Sequence, residues 1–154
     1  MQNLQPLTKC YLKTSVLIVG KKNGAEDWIS AGCIEYEKRL SSIISIETSF
    51  LKSSEELIKA AKSSKGVVYA LDESGDQLTS TEFSTFLYNG FEKGGAHVTF
   101  LIGGFSGLPQ EIKSSHKLIS LSRMTWTHQM ARLLLVEQIY RASEIRKGSS
   151  YHKE

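Results

Sequence analysis

The sequence predicts an α/β fold: a mainly parallel sheet with helices on both faces. Three observations predict it. Short apolar, β-branched runs alternate with segments of helical period along the chain. Two capping boxes and several glycines mark the breaks between them. No internal repeat, low-complexity stretch or linker divides the 154 residues. Alternation of this kind favours parallel strands joined by crossover helices. The length suits one domain, residues 1–154, which buries roughly 68–70% of its unfolded surface. Residues 1–13 read as an extension ahead of the first strand.

Thr14–Val19 is apolar and β-branched, hence a strand, stopped by Gly20 and the turn-rich KKNG. Glu26 to Leu40 reads as a helix with Trp28, Ile29, Cys33, Ile34 and Tyr36 near one face. Ile43–Phe50 alternates with period two, so Ile44, Ile46, Thr48 and Phe50 share a side. Ser53 and Glu56 form a capping box that starts a helix running to about Lys62. After Gly66, Val67–Leu71 is a short strand ending at Asp72. Thr79 and Glu82 form a second capping box, for a helix to about Phe91, ended by Gly94 and Gly95.

Val98–Ile102 is a buried-strand pattern running into Gly103-Gly104. Pro109 suits the first position of a short helix through Lys113. Lys117–Leu121 is the fifth strand, and Thr127 caps a last helix to about Arg146. In such sheets ligands sit beyond the carboxyl ends of the strands. Three of those ends are chemically distinctive: Leu71-Asp72-Glu73, Ile102-Gly103-Gly104 and Leu121-Ser122.

Net charge is +3, unevenly spread. From Lys113 onward eight cations face three carboxylates, +5 in all, which leaves residues 1–112 at −2. A basic end favours a polyanion, nucleic acid foremost, although a solvated helix surface carries the same charges. The opening MQNLQPLTKCYL lacks the apolar core of a signal peptide, and the longest apolar runs are too short to span a bilayer. A soluble cytoplasmic protein without membrane attachment is expected. Cys10 and Cys33 form no CxxC pair and have no histidine at metal spacing, so they read as reduced thiols and no metal is expected.

Neither GxxxxGK[ST] nor a GxGxxG after the first strand is present, so pyrophosphate has no seat. GGFSG permits close approach of a ligand to backbone, or is simply a tight turn. An adenosine without phosphates fits better. Backbone from Leu121 to Trp126 can pair with adenine, the turn near Gly103 can meet ribose, and Leu71, Leu121 and Met124 can flank the ring. S-adenosylmethionine is one candidate among several. On the last helix, Glu137 and Arg141 lie four apart, on a face with Met130 and Leu134. They are either a structural ion pair or a functional one, with Glu137 toward a cationic cofactor group and Arg141 toward a phosphate. Arg132 is expected to point elsewhere.

The segments ALDESG, FLIGGFSGL, ISLSRMTWTHQMARLLLVEQIYRA and YHKE, with the EYEKRL helix, together resemble the ribosomal RNA large subunit methyltransferase H family, of the knotted SPOUT class. The resemblance covers the chain from about Ser15. It implies an α/β sheet whose C-terminal segment threads a trefoil knot, with S-adenosylmethionine bent inside it. It implies a homodimer that methylates N3 of a pseudouridine in 23S rRNA on the assembled ribosome. Residue by residue, it places Leu71, Gly103, Gly104, Leu121, Ser122, Arg123, Met124, Thr125 and Trp126 at the cofactor. It makes Glu137, Arg141, Tyr151 and His152 the polar set of helix and tail, with His152 assisting loss of the imide proton. Tyr151 would meet the base, and Arg141 and Arg123 would hold phosphates. One subunit's tail would reach the other's cofactor.

The chain departs from the family at Thr127 and Ser150, where proline is usual, and between Phe50 and Val67, which is shorter. Two other readings stay open: a non-catalytic ribosome-binding protein on the same fold, and a SPOUT methyltransferase acting on another RNA.

Overall fold

Ten elements alternate strand and helix in the computed structural model, which describes residues 11–22 and 27–153. They are β1 Leu12–Val19, α1 Asp27–Leu40, β2 Ile44–Leu51, α2 Ser54–Lys62, β3 Val67–Gln77, α3 Ser80–Lys93, β4 His97–Ile102, α4 Gln110–Ser115, β5 Lys117–Ser120 and α5 His128–Lys147. The five strands form one sheet in the order β2-β1-β4-β3-β5, and every ladder is parallel. The expected Glu26 start of α1, the Asn23-Gly24 end of the first turn, Cys10 and most of the expected extension lie outside the described residues.

Side-chain alternation in β1 divides the core. Val16 and Ile18 face one side, with Phe100 and Ile102 of β4, against Leu40 of α1, Phe83 and Leu87 of α3 and Leu135 and Ile139 of α5. Leu17 and Leu101 face the other side, against Leu57 of α2 and Ile112 of α4. Burial of each large apolar side chain is worth roughly 1.5–3 kcal/mol, so both helical layers are held by β1 and β4 at the sheet centre. Both capping boxes form: Ser53 Oγ accepts from the Glu56 amide at 3.2 Å, and Thr79 Oγ1 from that of Glu82 at 3.1 Å. Thr127 caps α5 by accepting from the Met130 amide at 3.2 Å.

Some boundaries differ from the sequence reading. β3 does not finish at Leu71. Its ladder with β5 pairs Leu71 with Ile119, breaks, and resumes with Asp76 again opposite Ile119. The intervening Asp72–Gly75 is an excursion closed by hydrogen bonds from the Ser74 amide, at 3.1 Å, and the Ser74 hydroxyl to Asp72. Pro109 is the N-cap of α4 rather than its first turn, and β5 ends one residue short of Leu121. In α1, Ile29 and Cys33 are buried, but Trp28 and Ile34 are exposed. Each lies about 100° around the helix from its buried neighbour, which puts both outside the packed stripe.

Candidate functional site

The carboxyl ends of β3, β4 and β5 open on one cleft of about 360 Å³. After β4 the chain turns tightly from Gly103 to Leu108. The Gly107 amide donates to the Gly104 carbonyl at 2.9 Å, and Gly107 sits at φ +81°. A Cβ at Gly103 would lie 2.5 Å from the Gly107 carbonyl carbon, so only glycine lets the turn fold on itself here. After β5 the chain runs irregularly to α5. Ser122 Oγ accepts from the Met124 amide at 3.0 Å, and Ser120 Oγ donates to the Ser122 carbonyl at 2.8 Å.

The third wall is the Asp72–Gly75 excursion. Thr125 Oγ1 donates to Glu73 Oε2 at 2.8 Å, which ties this wall to the loop after β5. Burial alone would raise the Asp72 carboxyl. Hydrogen bonds from Ser74 and the Lys113 ammonium, 3.5 Å away, outweigh it and hold the group below its ordinary range. The rim therefore carries carboxylates on one side. Large apolar side chains stand at the cleft: Phe105 is fully exposed, and Met124 and Trp126 are exposed in part.

Of the residues expected at a cofactor, Leu71, Gly103, Gly104, Leu121, Ser122, Met124, Thr125 and Trp126 line this cleft, whereas Arg123 is exposed and is not among its walls. Sequence reasoning missed His128, which also lines it and would sit 3.0 Å, through Nε2, from a Cβ at Gly20. No sequence signal marks that approach of α5 to the end of β1. A cleft shaped by backbone turns, with a carboxylate rim and no phosphate loop, fits an adenosine bearing a cationic group.

The helix-and-tail residues form a second cluster, and none of them lines the cleft. Glu137 Oε1 accepts from Arg141 Nη2 at 2.7 Å, Arg141 Nε at 3.2 Å and the Tyr151 hydroxyl at 2.9 Å. Glu137 Oε2 accepts from Gln138 Nε2 at 2.9 Å. The Arg141 guanidinium lies 4.8 Å from the Tyr151 ring centroid. Burial, and then the hydrogen bond to Glu137, push the Tyr151 phenol well above its ordinary range, so it stays a donor.

Arg141 Nη1 lies 3.1 Å from His152 Nδ1. A guanidinium has no lone pair to offer, so Nδ1 is the acceptor and the imidazole proton sits on Nε2. The tail is set by Gly148, which ends α5 in the left-handed region at φ +72° and lets the Ser149 amide reach the Glu144 carbonyl at 3.1 Å.

Arg132 points away from this cluster, as expected. It is buried, with its guanidinium 5.0 Å from the centroid of Phe50 and with Nε and Nη1 unpartnered. Burial raises the Cys33 thiol, opposed by Arg132, so Cys33 is a packed and unreactive group. Among the described residues no group of three or more His, Cys, Asp or Glu could hold a metal ion, and no helix is long and apolar enough to cross a membrane.

Residues 12–152 match the family model described as predicted SPOUT methyltransferase. The chain is 45% identical over 142 residues to a ribosomal RNA large subunit methyltransferase H of Protochlamydia amoebophila, covering 92% of this chain and 99% of that one. It is 42% identical to a protein of the same name from Prochlorococcus marinus, covering 90% and 94% respectively. Among solved structures it is similar to a probable methylase family protein of Haemophilus influenzae, with TM-score 0.58, 9% identity and coverage of 96% and 72%. A putative methylase family protein of Neisseria gonorrhoeae matches with TM-score 0.52, 9% identity and coverage of 100% and 92%. These two structural likenesses concern the fold.

Proposed function

The chain belongs to the SPOUT methyltransferase family, and from that premise we infer that it is an S-adenosylmethionine-dependent enzyme that methylates N3 of a pseudouridine in the 23S rRNA of the assembled ribosome. The observation that carries this is the pairing of near-full-length relatives bearing the rRNA methyltransferase name with a phosphate-loop-free cleft, shaped by backbone turns, at the ends of β3, β4 and β5. The work is cytoplasmic, on a ribosome, by a homodimer whose C-terminal segment threads a trefoil knot.

Leu71, Gly103, Gly104 and the Leu121–Trp126 loop hold the adenosyl group, and Asp72 and Glu73 give the rim a charge opposite to a sulfonium. When bound, S-adenosylmethionine would supply an electrophilic methyl group on a cationic sulfur, and the acceptor nitrogen would lose its proton to solvent as it attacks. Most of the catalysis is positioning. As the imide proton leaves, charge spreads onto the flanking carbonyl oxygens. His152 presents an N–H at Nε2, held in that tautomer by Arg141, and donates it to such an oxygen. Its assistance is thus electrostatic, with Nδ1 occupied by the guanidinium. Glu137 fixes Arg141 and Tyr151, and Tyr151 stacks on or hydrogen-bonds the base. Arg141 and Arg123 hold rRNA phosphates.

The separation of the tail cluster from the cleft within one chain supports a composite site, the tail of one subunit meeting the cleft of its partner. Mass spectrometry of large-subunit rRNA from a deletion strain should show a pseudouridine lacking one methyl group, restored by the intact gene. A complete complement of methyl groups in that strain would refute the reading. Titration with S-adenosylmethionine separates it from a non-catalytic ribosome-binding role, which would give no heat.

A further inference from the structure

A second cavity, of about 210 Å³, lies between the start of α3, the end of β5 and α5. It shares Leu121 and Trp126 with the cleft, so the two spaces are divided by one loop. Its other walls include Phe83 and Leu134, with the polar residues Ser80, Ser120 and Gln138. Its volume is below the roughly 300 Å³ at which pockets for whole small molecules begin. A space of that size, with apolar walls, two serines and one amide, suits a single ring.

The amide is held in one orientation. Glu137 is a carboxylate and only accepts, so the Gln138 NH2 end faces it, at 2.9 Å. The carbonyl end then accepts from the Ser80 hydroxyl at 2.8 Å. Each contact uses one of the two hydrogens or one of the two acceptor positions of the amide. One N–H and one acceptor position of the same amide remain for a ligand.

We propose that Gln138 is a specificity-determining residue that reads the N1–H and C2 carbonyl of the acceptor base in this second cavity. The proposal rests on the methyltransferase reading above and goes past it, to how the enzyme tells pseudouridine from uridine. In uridine N1 carries the sugar and has no hydrogen. In pseudouridine the sugar is on C5, so N1–H and the C2 carbonyl form an adjacent donor and acceptor, the complement of a glutamine amide. N3 lies on the opposite side of C2 and is left free for methylation. Ser80 and Glu137 are positioning residues for the amide, and through Glu137 the same hydrogen-bonded chain reaches Arg141 and His152. A site built to bond a substrate group discriminates strongly against an analogue lacking it, because its own polar atoms are then left unpaired.

The test uses the full chain, S-adenosylmethionine, and two ribosome preparations: one with pseudouridine at the target, one with uridine there, from cells lacking the relevant pseudouridine synthase. Wild-type enzyme should favour the first in kcat/KM. Gln138→Leu, of similar size, should lower kcat/KM on pseudouridine about ten- to a hundredfold and lower it less on uridine, so the ratio closes. Ser80→Ala should move the ratio the same way by a smaller factor. Calorimetric affinity for S-adenosylmethionine and the melting temperature should stay near wild type for both variants. An unchanged ratio in Gln138→Leu overturns the proposal. So does a tenfold loss of S-adenosylmethionine affinity, which would assign the cavity to the methyl donor. Wild-type enzyme inactive on both preparations would refute the methyltransferase reading itself, and this inference with it.

Discussion

The cleft and the tail cluster are built from opposite materials. Main-chain turns shape the cleft that side chains such as Met124 and Trp126 then line: a glycine turn that leaves no room for a Cβ at Gly103, a loop held by serine hydroxyls, and an excursion pinned by Asp72. Side chains make the cluster, with Glu137 accepting four hydrogen bonds from Arg141, Tyr151 and Gln138. A site of the first kind should tolerate changed side chains and fail when its backbone path is altered. One of the second kind should keep its backbone and fail when a single functional group is removed.

The largest expected effect tests the first half of that contrast. Gly103→Ala puts a methyl group against the Gly107 backbone and should cost on the order of 4 kcal/mol, seen as loss of S-adenosylmethionine binding by calorimetry together with a lower melting temperature. Met124→Ala in the same cleft leaves the backbone path unchanged and should weaken that affinity far less, by about 1 kcal/mol of lost apolar contact. Comparable losses in the two variants would erase the distinction.

The second half rests on His152. His152→Ala should reduce methylation of ribosomes roughly 100- to 1,000-fold while S-adenosylmethionine affinity holds, since it removes a donor and leaves the cleft intact. Parallel loss of both would make the tail part of the cofactor site. A smaller effect is expected from Glu137→Gln, which keeps the shape but removes the charge that Arg141 and Tyr151 share. Unfolding in urea should show about 1–3 kcal/mol less stability.

The smallest effect lies at the far end of the sheet. His97 has its pKa lowered by burial and then by Lys13 and Lys65, against a weaker pull from Glu47, and its Nε2 is 2.8 Å from Ser15 Oγ. A histidine with a lowered folded-state pKa favours folding while neutral. That contribution is present above the unfolded value near 6.5 and is lost as pH falls below it. Melting temperature should therefore drop between pH 7.5 and 5.5, and His97→Gln should flatten part of the drop. A slope identical to wild type would show that His97 contributes nothing.

What could be read from sequence was what is decided locally. Ser53 with Glu56, Thr79 with Glu82, and Thr127 ahead of α5 each act within three residues, and each forms the cap its spacing predicts. Gly103 and Gly104 mark the turn after β4 locally, but a glycine pair alone leaves both a ligand-binding turn and a plain tight turn open. The pairing of Glu137 with Arg141 followed from one helical turn, although the division between structural and functional roles did not.

The misses are matters of distance along the chain. Ser80 meets Gln138 across 58 residues, and His128 reaches Gly20 across the sheet end, with no local pattern to announce either. Arg132 points away from the Glu137 cluster, as its helical position implies, but its burial against the Phe50 ring of a distant strand has no local signal. Trp28 and Ile34 were placed on the packed face of α1 because spacing alone cannot say where the stripe is centred.

The break in β3 has a consequence for how this architecture can vary. Since Ile119 stands opposite both Leu71 and Asp76, the four residues between them are outside the hydrogen-bonding count of the sheet. Insertions or deletions there need not slide either half of the strand against β5. The rim of the cleft can thus change length, charge and reach from one homologue to the next while the scaffold beneath keeps its alignment.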